Sequence, residues 1–122
     1  MKVEIKQIFK ENGIDVYESI DRLMGMEDLY DSLILEFLED ENFDTMKRYL
    51  EEGDAASAFN AAHALKGVAG NLGMVKFYHK FHPVVEMLRR GELDEASKEI
   101  KGIELEYRNI KRLIKENIKK EV

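Results

Sequence analysis

Apolar residues return every three or four positions along almost the whole chain, a period that fits α-helix and excludes strand over such lengths. Only one proline, Pro83, interrupts the pattern. The spacing predicts a short helix over roughly Lys2 to Lys10, presenting Val3, Ile5, Ile8 and Phe9 and stopped by Asn12-Gly13. Asp15 is a favourable N-cap for a second short helix carrying Val16, Ile20 and Leu23 and ending near Gly25. A long helix is expected from Glu27 to Glu52, bending around Asn42, with Leu29, Leu33, Phe37, Met46 and Leu50 inward. Gly53-Asp54 stops it and caps the next, Ala55 to about Asn71. A fourth segment, Met74 to Arg90, turns Phe77, Phe81, Val84 and Leu88 to one side. The last keeps Leu93, Ala96, Ile100, Ile103, Tyr107, Ile110 and Ile114 in register. Four long amphipathic segments on short connections predict an all-α, antiparallel four-helix bundle with one or two short N-terminal flanking helices.

At 122 residues, 44% of them hydrophobic, the chain can fill one core, and a single domain over 1–122 is expected. It is too short to house a nucleotide-binding domain as well. The lack of cysteine excludes disulfide and thiol chemistry. Nineteen basic against 25 acidic residues, net −6 with no basic tract, argues against nucleic acid as a partner. The opening MKVEIKQIF has no apolar run of signal or membrane length. A cytoplasmic, monomeric, free-standing protein is expected.

The segment AASAFNAAHALKGVAGNL carries the functional signal. Ala58, Ala62, Leu65, Ala69 and Leu72 make its inward stripe. At about 100° per residue, His63 then points roughly 140° from the stripe's centre, and Asn60 and Gly67 lie opposite it. Gly70 shares that outer face, and Lys66 follows His63 by one turn. A glycine inside a helix costs about 1 kcal/mol relative to alanine. Two on an exposed face bring the domain no packing gain, yet they leave bare backbone where another molecule can approach. Imidazole ordinarily titrates at about pH 6.5, which leaves a nucleophilic nitrogen at neutral pH. A lysine ammonium nearby can stabilise anionic charge on a transferred group.

His63-Ala64-Leu65-Lys66-Gly67, with Gly73 ending the helix, resembles the signature of histidine-containing phosphotransfer (HPt) domains. Gly13-Ile14-Asp15, Phe37-Leu38 and Gly53-Asp54 also resemble that family, and the likeness spans about residues 13–115. The resemblance implies a phosphorelay intermediate that is phosphorylated on His63, with Lys66 near the phosphoryl oxygens and Gly67 giving a partner clearance. It implies a phosphocarrier rather than an enzyme, with no cofactor of its own. The partners would be response-regulator receiver domains, which bring the phospho-aspartate and Mg²⁺, and a sensor (hybrid) histidine kinase. The chain lacks a phosphate-cradling glycine loop or a Mg²⁺-binding carboxylate motif, which agrees with that division of labour.

One position departs from the family. Where many relatives place a glutamine or glutamate that bonds the active histidine, this chain has Val85. His82, one turn before Glu86, is the residue expected to orient the His63 ring instead. Two rival readings remain open: a helical adaptor that docks receivers without accepting phosphate, and a metal site at His79, His82 and Glu86. Pro83 predicts either a kink that reshapes the groove beside His63 or a new helix beginning there.

Overall fold

The computed structural model describes residues 1–118. Its helices are α1 (Val3–Glu11), α2 (Val16–Arg22), α3 (Glu27–Glu36), α4 (Asn42–Glu51), α5 (Ala55–Asn71), α6 (Val75–Arg89) and α7 (Leu93–Asn117), with a 3₁₀ turn at Phe37–Glu39. Among the described residues there is no strand. Helices α4 to α7 pack in sequence, each against the next, as an antiparallel four-helix bundle. The circuit closes between α7 and α4. Phe43 stacks on Tyr107 with centroids 4.2 Å apart, and Lys47–Glu104 and Arg108–Asp44 pair at 2.8 and 2.6 Å on the rim. The stack sits among Phe37, Phe77 and Phe81, all 0–1% exposed. Buried aromatic pairs are worth about 0.5–1.5 kcal/mol each beyond their area, against roughly 0–1 kcal/mol for an exposed ion pair. The core therefore sets how α4 and α7 meet, and the charges trim it.

The expected long helix from Glu27 to Glu52 is two helices. Helix α3 ends at Glu36, the 3₁₀ turn follows, and Asp40 is extended at ψ 127°. Asp40 Oδ1 then accepts the Asn42 backbone N–H at 2.9 Å, so a short acidic side chain offers the backbone an alternative to helix. Within α3 and the turn the buried stripe is Tyr30, Ile34 and Phe37, while Leu29 is 39% exposed and Leu33 only half-buried. Leu50 is half-buried too, and Phe43 with Met46 carries the inward face of α4. The bundle is consequently flanked by three N-terminal helices, one more than expected.

Those flanking helices are tied to the α5–α6 turn. Asp15 N–H donates to the Gly73 carbonyl at 2.7 Å, and Tyr30 Oη donates to the Leu72 carbonyl at 2.8 Å. Arg22 Nη2 donates to the Gly70 carbonyl at 2.8 Å and to Ser19 Oγ at 3.1 Å. Gly73 has φ 73°, and a Cβ there would collide with the Asp15 carbonyl and Ser19 Oγ, so glycine is required twice over. Helix α6 runs unbroken through Pro83, so no new helix starts there. The missing N–H leaves the His79 carbonyl without its helix bond; His79 is exposed, where water can serve that oxygen.

Candidate functional site

Asp54 caps α5 by accepting the Ser57 N–H at 3.0 Å, which fixes where the helix starts and thus which way each later residue faces. Ala58, Ala62, Leu65 and Ala69 are fully buried and Leu72 nearly so. With that stripe inside, His63, Asn60 and Gly67 all lie exposed on the opposite side. A Cβ added at Gly67 would have nothing within 4 Å. The backbone next to His63 is bare, as the sequence led one to expect.

Gly70 differs. A Cβ there would lie 3.2 Å from the Tyr78 ring, so this glycine makes room for α6. The expectation that both glycines lack a packing role holds for Gly67 and fails for Gly70. Between α2 and the α5–α6 hairpin runs an open cleft of about 540 Å³, lined in part by Arg22, Gly67, Gly70, Tyr78 and His79.

Lys66 is half-buried and anchored. Its Nζ lies 2.7 Å from His82 Nδ1 and 5.1 Å from the Tyr78 ring centre. An ammonium can only donate, so His82 Nδ1 is the acceptor and the ring's proton sits on Nε2. His82 therefore holds Lys66 rather than the His63 ring, contrary to expectation. Neither ring nitrogen of His63 has a hydrogen-bond partner among the described residues. The ring instead lies against Phe59, with centroids 5.5 Å apart and planes 22° from parallel. The Arg89 guanidinium covers Phe59 at 4.6 Å, and Arg89 Nε reaches Glu86 Oε2 at 3.3 Å. Val85 is fully buried, so its position points into the core.

The trio suggested for metal is not gathered. His82 faces Lys66, Glu86 faces Arg89, and His79 stands edge-on to Tyr78 at 5.6 Å. Among the described residues no three His, Cys, Asp or Glu side chains are placed to share an ion. Phe59, Tyr78 and Arg89 lay outside the sequence expectations. Phe59, one turn before His63, could have been found from helical spacing alone. Arg89 required knowing how α6 lies against α5.

The fold is thus a helical bundle that carries an outward histidine, a tethered cation three residues on and open backbone at Gly67. The Hpt domain family model matches residues 4–113, nearly the whole chain, and the chain belongs to that family. Membership implies phosphotransfer in two-component phosphorelays, with response-regulator receivers as partners. No curated protein and no solved structure matches the chain significantly. Among the described residues no helix is long and apolar enough to cross a membrane.

Proposed function

We propose that this protein is a phosphorelay intermediate that takes a phosphoryl group from a phospho-aspartyl receiver domain onto His63 and passes it to another receiver. The observation that carries this is the exposed imidazole next to Gly67, where even a methyl group would meet nothing within 4 Å. A partner's active site needs that clearance to bring its acyl phosphate into bonding range.

In the transfer, an unprotonated His63 nitrogen attacks phosphorus and a P–N bond forms. The P–O bond to the aspartyl carboxyl oxygen breaks, and the aspartate leaves as carboxylate. The proton on the other ring nitrogen is free to pass to water. Lys66, half-buried and bonded to His82, would supply the positive charge that stabilises the phosphoryl oxygens. Mg²⁺ would be supplied by the receiver. A sensor histidine kinase upstream, a cytoplasmic setting and a monomeric carrier that performs no reaction without a partner complete this reading.

The test is labelling by a phosphorylated receiver with Mg²⁺. The wild-type chain should acquire an acid-labile, base-stable phosphate, and His63→Gln should acquire none. Label that persists in His63→Gln rejects the assignment. Receiver binding without any transfer, indifferent to His63→Ala, would favour the adaptor reading instead.

A further inference from the structure

Phosphoryl transfer to an imidazole requires the ring to present one nitrogen along the line of attack, and a surface side chain is ordinarily free to turn. His63 is exposed, and neither of its ring nitrogens is hydrogen-bonded among the described residues. What it has is a stack. Phe59 and His63 are one turn apart on α5, on neighbouring positions of one helix face. Their rings lie 5.5 Å apart at 22°, an offset parallel arrangement. Phe59 is half-buried and does not stand alone. The Arg89 guanidinium from the end of α6 sits 4.6 Å from its centre, and Glu86 one turn earlier braces that arginine. The order is thus Glu86, Arg89, Phe59, His63: an ion pair, a cation over a ring, and a ring on a ring.

We propose that Phe59 is a positioning residue for His63, holding the imidazole plane through its ring face and leaving both nitrogens unencumbered, with Arg89 keeping Phe59 in place. The proposal rests on His63 being the phosphoacceptor and adds what orients it. An apolar stack has a chemical consequence that a hydrogen bond would not. It restricts the ring's rotation without committing either nitrogen to a partner, so one keeps its lone pair for attack while the other remains able to release its proton. The other polar groups nearby are already engaged, since Lys66 is bound to His82 and Glu86 to Arg89.

The experiment uses the full chain and a small donor, phosphoramidate, which needs no docking surface. Histidine nitrogen displaces its amine, the donor's P–N bond breaks, and ammonia leaves. Phosphorylation rates are measured for wild type, Phe59→Leu, Phe59→Tyr and Arg89→Gln, alongside thermal unfolding and the imidazole C–H resonances of His63. Phe59→Leu should shift those resonances downfield, as the ring current is lost, and slow phosphorylation about three- to tenfold, the range an aromatic pair is worth. Phe59→Tyr should restore both signals. Arg89→Gln, which removes an exposed side chain and leaves both rings, should give a smaller loss and covers the case in which Phe59→Leu folds poorly. His63 resonances unmoved by Phe59→Leu, or a wild-type rate in that variant, would overturn the positioning role. Label that survives in His63→Gln would instead bring down the acceptor assignment, whatever the resonances show.

Discussion

At the scale of single residues, Gly67 separates what the fold needs from what a partner needs. Alanine is favoured over glycine within a helix by about 1 kcal/mol. A Cβ at Gly67 meets nothing within 4 Å, so no clash offsets that gain. Gly67→Ala should therefore raise the midpoint of thermal unfolding by a few degrees, the shift about 1 kcal/mol produces in a domain this size. Under the proposed function the same methyl would narrow the space through which a receiver approaches His63, and transfer from a phosphorylated receiver should slow. Calorimetry and transfer kinetics on the one variant decide the matter. A more stable protein with unchanged transfer would leave this glycine without a functional reason. Gly70 offers no such separation, because its missing Cβ already accommodates Tyr78.

At the scale of elements, the α5–α6 turn is where the flanking helices and the bundle are made dependent on each other. Three bundle turns carry glycines of nearly equal φ: 75° at Gly53, 73° at Gly73 and 74° at Gly91. Only at Gly73 would a side chain also strike another element, the Asp15 carbonyl and Ser19 Oγ of α2 and its cap. Alanine at Gly53 or Gly91 should cost about 1–2 kcal/mol, the penalty of a left-handed backbone alone. Alanine at Gly73 should cost distinctly more and should loosen α1 and α2 first. Denaturant unfolding of the three variants, with hydrogen exchange in α1 and α2, would show it; equal costs would mean that the close approach yields freely. The turns themselves were legible in the sequence because a glycine directly after an apolar stripe supplies the left-handed residue that ends a helix. The break at Asp40 is legible only as a gap in the stripe: nine residues separate Phe37 from Met46, about 180° round a continuous helix, and a side-chain bond to Asn42 supplies the interruption. Likewise the outward placement of His63 follows from the period of α5 alone. The Lys66–His82 bond joins two helices and depends on their packing, which no single stripe encodes.

At the scale of the whole molecule, two tyrosines make the fold sensitive to alkali. Tyr30 and Tyr107 are both fully buried, and burial, reinforced by neighbouring carboxylates, pushes both phenols well above their ordinary range. A free phenol ionises at about pH 10. Below that, folded and unfolded chains hold the same phenolic protons and these groups give no pH dependence. Above it, the unfolded chain loses protons that the folded one keeps, so stability falls as pH rises, by about 1.4 kcal/mol per pH unit for each ionisation confined to the unfolded state. Lys111, whose burial lowers its ammonium's pKa, pulls the opposite way, so single variants are needed to isolate the phenols. Tyr30→Phe removes a bond to the Leu72 carbonyl and should lower stability at neutral pH by about 0.5–1.5 kcal/mol. Tyr107 Oη has no partner among the described residues, so Tyr107→Phe should cost little at neutral pH. Both variants should nonetheless flatten the decline between about pH 10 and 12, because each deletes one proton from the balance. Denaturant unfolding across that range would test it. A slope unchanged in either variant would mean that its phenol ionises inside the folded bundle.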